Sequence, residues 1–144
     1  MKENCIFCKI INGDLPADKI YENETAIVIL DISPINPGHL LVIPKNHCER
    51  LSGMDEKTAM ELFKLVMVLE NMMADDPNCS GVNILQNNGK AAGQVVDHVH
   101  FHLITRYEGD TFRFKYNKIS ISKERMLQIK KQYRDKLPRF KQDD

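Results

Sequence analysis

Three of the five histidines stand at alternate positions of one short stretch, Asp97-His98-Val99-His100-Phe101-His102-Leu103-Ile104. Imidazole is the side chain best suited to exchanging protons near neutral pH. Apolar residues separate the three, and a period of two belongs to a strand, whose successive side chains point to opposite faces. The pattern predicts Val99, Phe101 and Leu103 against a core. It predicts His98, His100 and His102 in a row on the other face, neighbours about 6–7 Å apart. A helix would scatter them over all sides. A row of imidazoles points to chemistry; the plainer reading is a polar strand face that happens to use histidine.

Other residues could serve such a row. Cys5-Ile6-Phe7-Cys8 sets two thiols at the spacing that grips a tetrahedral zinc, or forms a redox pair. Its flanks do not resemble a strand entering a helix, as a redox motif requires. Cys48 and Cys79 lack partners at ligand spacing and read as ordinary thiols. Asp31 closes an apolar run, where a carboxylate can accept two hydrogen bonds from a diol such as ribose, or simply cap the following turn. Asn87-Asn88-Gly89-Lys90-Ala91-Ala92-Gly93-Gln94 leads into the histidine stretch. Its glycines let backbone N–H groups approach an anion, although Asn-Gly also favours a plain hairpin loop. The histidines next door favour the phosphate reading.

The elements that must position these groups follow from pattern. Ile6, Phe7, Ile10 and Ile11 supply apolar surface before a turn at Gly13-Asp14-Leu15-Pro16. Strands are predicted at Ile20–Glu22 and Ala26–Leu30 around a polar Asn23-Glu24 turn, at His39–Ile43 with Pro44 as the stop, and at Gly81–Gln86. A helix capped by Ser52 or Asp55 runs to about Ala74. Its expected buried stripe is Ala59, Leu62, Phe63, Val66, Leu69 and Met73. Met60, Leu65, Met67, Val68 and Met72 are apolar as well, and one stripe does not account for both sets. The second face is expected to meet another subunit in a two-fold homodimer. Phe112–Tyr116 is ambiguous. Ser122–Lys136 reads as a packed helical appendage with Met126, Ile129 and Tyr133 on one face, ended before Pro138.

Length and composition bound the rest. The 144 residues suit one domain with a real core, and no repeat is visible. Twenty Lys and Arg balance twenty Asp and Glu, which argues against a general basic footprint for nucleic acid. No apolar run approaches the roughly 18–20 residues a bilayer requires, so no membrane partner is expected. Met1–Lys9 shows no signal-peptide pattern, and the cytosol is the expected compartment, where a disulfide framework is disfavoured.

His98-Val-His100-Phe-His102-Leu-Ile resembles the histidine-triad motif of the HIT superfamily. Cys5-Ile-Phe-Cys8-Lys-Ile-Ile, Asp31-Ile-Ser-Pro, Pro37-Gly-His39-Leu-Leu-Val-Ile-Pro-Lys45-x-His47, Asn87 and Gly93-Gln94 follow in the family's order. The match covers residues 5 to about 107 and is similar to the bacterial-type Hint branch. It implies an α+β HIT-like fold: an antiparallel sheet of about five strands, one long helix and a C-terminal helix. The whole chain, 1–144, is then one HIT domain, with a core at 5–107 and an extension at 108–144. The implied activity is hydrolysis or transfer at the α-phosphate of purine nucleoside phosphoramidates or related esters. By that likeness His100 attacks phosphorus and forms a nucleotidyl-histidine that water cleaves. His102 and the backbone of Gly93, Gln94 and Val95 hold phosphate oxygens, and Asn87 sits by the phosphate or leaving group. Asp31 binds the ribose, while Phe7, Ile10, Ile29 and Ile32 sandwich the base. His39 supports the triad from the neighbouring strand. A neutral nucleophilic imidazole needs its second nitrogen anchored, and a backbone carbonyl suits better than Asp97. Val95 stands where many Hint members carry Ser or Thr, so a hydroxyl contact is missing.

Cys5, Cys8, His47 and His98 make a Cys₂His₂ set in an order that suits structural zinc, as in some bacterial relatives. Zinc would tie the N-terminal segment to the sheet and share His98 with the catalytic row. The alternative is an empty, reduced thiol pair. No organic cofactor is implied. Two competing functions remain at this stage: a metallohydrolase with His98, His100 and a third histidine on a catalytic ion, and a nucleotide- or partner-binding module with little turnover.

Overall fold

The computed structural model describes residues 2–115 and 117–137. The strands are β1 (Lys19–Glu22), β2 (Ala26–Leu30), β3 (Leu40–Pro44), β4 (Cys79–Gln86) and β5 (Phe101–Tyr107). They form one antiparallel sheet in the order β1-β2-β3-β5-β4. The α-helices are α1 (Ile6–Asn12), α2 (Glu56–Ala74) and α3 (Lys123–Lys136). Pro44 ends β3 from inside it, paired with Ala26.

β2 and β3 read as unbroken apolar runs because both faces of the sheet are covered. On one face Ala26, Val28, Leu40 and Val42 join Val99, Phe101 and Leu103 beneath Leu62, Val66, Leu69 and Met73 of α2. On the other, Ile27, Ile29, Leu41 and Ile43 pack with Phe7, Cys8 and Ile10 of α1. His102 pairs with Leu41 across β3 and β5, so it shares the α1 face. The period-two logic thus sends the apolar residues of 99–103 to α2 and the imidazoles to α1.

α1 is the element that sequence patterning leaves out. It spans seven residues, too few to display a helical period, and Cys5 gives it no side-chain cap. Its stability comes from burying Phe7, Cys8 and Ile10, and Gly13 ends it at φ 83° in the left-handed region. α2 starts at Asp55, whose carboxylate accepts the Thr58 N–H at 2.9 Å; Ser52 belongs to the preceding 3-10 turn. Phe63, expected in the buried stripe, is exposed and only leans edge-on against Phe101. Leu65 of the second set is partly buried against the core. Met60, Met67, Val68 and Met72 stay exposed, as the two-faced pattern requires.

The chain divides into two compact units, Met1–Phe112 and Arg113–Asp144. In the second, Ser122 caps α3 by accepting the Arg125 N–H at 3.2 Å. Within this unit no residue of α3 is buried, Met126, Ile129 and Tyr133 included. Charge is segregated: eleven of the twenty Lys and Arg lie from Arg113 onward, where only four of the acidic residues do. A balanced total therefore describes neither unit. Tyr116 and the expected stop at Pro138 fall outside the described residues. Among the described residues no helix is long and apolar enough to cross a membrane.

Candidate active site

Hydrogen-bond partners assign the ring nitrogens of the histidines one by one. The His100 Nδ1 lies 2.7 Å from the His98 carbonyl, so Nδ1 carries the proton and Nε2 is bare. His39 Nδ1 accepts the Ile35 N–H at 3.2 Å, which puts the His39 proton on Nε2. That Nε2–H donates to His102 Nδ1 at 2.9 Å, leaving Nε2 of His102 as a donor. The His98 Nε2–H donates to the Pro44 carbonyl at 2.8 Å, so Nδ1 of His98 is bare. Neighbouring rings in one sheet face thus hold opposite roles: His100 offers a lone pair and His102 a proton, with ring centroids 4.9 Å apart.

Burial keeps these rings neutral. It is the main cause holding His98 and His102 down at about 4, and it lowers His39 and His100 as well. The neighbouring imidazoles His100 and His39 depress His102 further, while Asp31 pulls the other way. A neutral imidazole is the form that can attack an electrophile.

The three triad histidines do not form one row. β5 begins at Phe101, and residues 96–100 are irregular. His98 N–H donates to the Val96 carbonyl at 2.8 Å and Val99 N–H to the Cys48 carbonyl at 2.7 Å, bonds that a ladder would not make. The His98 ring turns toward Cys5, Cys8 and His47 and is fully buried. A catalytic ion shared by His98 and His100 is therefore not formed: one ring aims Nδ1 at the thiols, the other aims Nδ1 at a carbonyl. Asp31, His39 and His102 also cluster, but the His39–His102 hydrogen bond occupies the two nitrogens an ion would need.

His100 and His102 open into a cavity of about 570 Å³. Phe7 and Ile10 of α1, Ile29 of β2, and Asp31, Ile32, Gly93 and Val95 line it with them, so the sequence-derived set largely converges here. Sequence reasoning missed Leu15, Pro16, Ala17, Leu41 and Val96, which complete the apolar wall; their only signal was hydropathy in segments read as turn or strand. Phe7 stands edge-on to His100, centroids 5.1 Å apart. Asp31 Oδ1 accepts the Ser33 N–H at 2.8 Å, the turn-capping role, while Oδ2 sits 3.6 Å from His39 Nε2. One oxygen of Asp31 thus caps the turn, while the other faces His39 and His102.

The glycine loop folds differently from a bare anion nest. Lys90–Ala92 make a 3-10 turn that Gly93 ends at φ 89°, a conformation a side chain rarely adopts. Gly93 N–H donates to the Lys90 carbonyl at 2.9 Å and Gln94 N–H to the Gly89 carbonyl at 3.2 Å. Of the three expected phosphate donors, Val95 N–H alone makes no backbone bond among the described residues. Asn87 stands behind the loop, its Nδ2 3.6 Å from where a Cβ on Gly93 would lie, and it does not line the cavity. The Gln94 side chain points inward. It accepts the Gly89 N–H at 2.6 Å and donates to the Glu49 and Val96 carbonyls at 2.8 and 3.0 Å. Its amide braces the loop. Gln94→Ala strands three polar groups, each worth about 1–3 kcal/mol when left unsatisfied. We expect a urea-unfolding loss of about 2 kcal/mol or more.

Behind the triad lies the Cys₂His₂ set. Cys5 Sγ is 3.4 Å and Cys8 Sγ 3.7 Å from His98 Nδ1. His47 Nδ1 is 3.2 Å from His98 Nδ1 and 3.5 Å from Cys8 Sγ. A tetrahedral ion with ordinary zinc–sulfur and zinc–nitrogen bonds holds its ligand atoms about 3.3–3.8 Å apart. These separations, and the bare Nδ1 of His98, fit a metal site. All four cysteines are free.

Comparison with known proteins bears on the same residues. The HIT domain family model matches residues 12–109. A crystal structure of a HIT family member from Bacillus subtilis superposes with a TM-score of 0.85 at 39% identity, covering 96% of this chain and 100% of that one. A zinc-bound histidine triad family protein from Mycobacterium smegmatis gives 0.70 at 38% identity over 81% and 84%. The adenosine 5′-monophosphoramidase HNT1 of Candida albicans is 42% identical over 112 residues, 75% of this chain and 74% of that protein. Motif, five-stranded antiparallel sheet and family match coincide, and the chain belongs to the HIT family.

Proposed function

We propose that this protein is a nucleotide hydrolase or transferase that acts on the α-phosphate of purine nucleoside phosphoramidates or related esters. The observation that carries the reading is the His100 Nδ1–H bond to the His98 carbonyl, which leaves a bare Nε2 on a ring lining the cavity. Nε2 attacks phosphorus and the bond from phosphorus to the leaving nitrogen or oxygen breaks, that atom departing with a proton taken from solvent. Water then attacks phosphorus, giving a proton back to solvent, and the bond to Nε2 breaks, releasing the nucleoside monophosphate and the neutral imidazole. The His102 Nε2–H and the Val95 N–H donate to phosphate oxygens as charge builds. Apolar Phe7, Ile10, Ile29 and Ile32 take the base, and Asp31 Oδ2 takes a ribose hydroxyl. The named activity of the Candida albicans relative supports an adenosine substrate. Incubation with a slow adenosine phosphoramidate analogue, followed by tandem mass spectrometry, tests this: the added nucleotide mass is expected on His100, and a modified protein without it there overturns the reading.

Cys5, Cys8, His47 and His98 hold a structural zinc ion in this reading, supported by their spacing and by the zinc-bound relative. Zinc ties α1 to the sheet and takes no part in the phosphoryl steps. Thiols kept free for a metal belong with a reducing compartment, which suits the cytoplasm. The working form is a homodimer. Met67 and Val68 of α2, 70% and 66% exposed, support it. Met67→Glu with Val68→Glu is expected to halve the mass found by sedimentation equilibrium.

A further inference from the structure

Two short paths lead from the four-ligand cluster to the cavity. The first runs through His98. Its Nδ1 faces Cys5 and Cys8 at 3.4 and 3.7 Å, and its main-chain oxygen accepts the His100 Nδ1–H at 2.7 Å. The second runs through α1. Cys5 and Cys8 bracket Phe7, whose ring stands edge-on to His100 and to His98, centroids 5.1 and 5.9 Å away, and forms part of the cavity wall.

His98 lies outside β5; the Val96 carbonyl holds its N–H, the Pro44 carbonyl its Nε2–H, and the Val99 N–H, in the same peptide plane as the His98 carbonyl, donates to the Cys48 carbonyl at 2.7 Å. His47 Nδ1 stands 3.2 Å from the bare His98 Nδ1, within hydrogen-bond distance, and both nitrogens belong to the four-ligand cluster with Cys5 and Cys8. The direction of the His98 carbonyl is therefore set jointly by that peptide-plane bond and by what holds the His98 ring.

We propose that the metal cluster is a positioning device for the nucleophile, with His98 as the positioning residue. A filled cluster fixes the His98 ring and hence its carbonyl. That carbonyl selects the Nδ1–H tautomer of His100 and aims the bare Nε2. The same ion fixes α1 and sets Phe7 against the His100 ring. The inference rests on the reading of His100 as nucleophile for its kinetic consequence, whereas the link itself is measurable without turnover.

His47→Ala is the informative variant, because His47 touches Cys8 and His98 and does not line the cavity. Ring ¹⁵N shifts are recorded for zinc-loaded wild type, zinc-stripped wild type and His47→Ala, with adenosine monophosphate affinity and steady-state kinetics alongside. The loaded wild type is expected to show one His100 tautomer. The stripped protein and the variant are expected to average two, with kcat falling about 10- to 100-fold and KM changing less. Unchanged His100 ring shifts and unchanged affinity in folded, zinc-free protein overturn the proposal. Should zinc-free protein unfold, cadmium-loaded protein replaces it: its longer metal–thiolate bonds must move the His100 shifts, and identical shifts overturn the proposal equally. Failure of the nucleophile reading looks different, with ring shifts that follow the metal and no nucleotide ever found on His100.

Discussion

His100→Ala is expected to abolish turnover of an adenosine phosphoramidate, by about 10⁴-fold or more, while leaving nucleotide binding within a few fold. The expectation follows from what the ring does and does not touch. Its Nδ1–H is spent on the His98 carbonyl, so the ring offers the substrate one lone pair and no proton. It lies among buried apolar groups, where replacing imidazole by methyl opens space without stranding a charge. The single buried acceptor left behind, the His98 carbonyl, costs about 1–3 kcal/mol, which a folded domain can absorb. Binding energy comes from elsewhere in the cavity, from the wall around Phe7 and Ile29 and from Asp31. A nucleophile removed from such a site should therefore appear in kcat and hardly in the affinity for adenosine monophosphate. A variant that keeps a tenth of wild-type turnover would assign the chemistry to water or to another side chain. His102→Ala makes the contrast, since a lost donor weakens phosphate binding and rate together, by about 10²–10³-fold in kcat.

The same stretch shows what sequence reveals and where it stops. Alternation of histidine with Val99, Phe101 and Leu103 revealed which residues face the α2 core, because period two is a property of the backbone itself. It could not reveal that pairing begins only at Phe101, since a strand and an extended irregular segment share that alternation. His98 consequently reads as a third member of a row when its ring belongs to the cysteine cluster. β2 was legible to the residue because it is an unbroken apolar run, covered on both faces as far as Ile29. α1 was not, since a helix of two turns carries too few positions for a period, and its support is tertiary. Gln94 marks the same limit on the polar side. A glutamine beside a glycine looks like a ligand contact in sequence, and only the partners of its amide identify a brace. Phe63 was assigned to the core from spacing alone, yet it is exposed, its ring edge-on to Phe101.

Removing zinc is expected to lower the thermal midpoint by about 10 °C, and Cys8→Ser to reproduce the loss and make the protein indifferent to chelator. An ion that binds only the folded chain stabilises it by about 4 kcal/mol when free metal exceeds the dissociation constant a thousandfold. For a domain of this size each kcal/mol moves the midpoint by a few degrees. Cys8 is the member to change. It is 1% exposed, it lies near both His47 and His98, and serine keeps its volume while losing the soft thiolate. The competing account, a reduced and empty thiol pair, makes a different prediction at each step. Chelator would leave wild type untouched, and serine would cost only a weak hydrogen bond, about 1 kcal/mol. Differential scanning calorimetry of wild type and variant, each with and without chelator, separates the two accounts, because only a bound ion makes the effects of chelator and substitution overlap instead of add. The His98 ring adds one more constraint. It is buried, with Nε2–H satisfied by Pro44 and Nδ1 bare, and a bare buried nitrogen facing two thiols and a second imidazole is stabilised most by a cation at their common centre. Loss of that cation leaves the N-terminal helix attached by apolar packing, chiefly of Phe7, Cys8 and Ile10, so α1 should lose its amide protection first as the stripped protein warms.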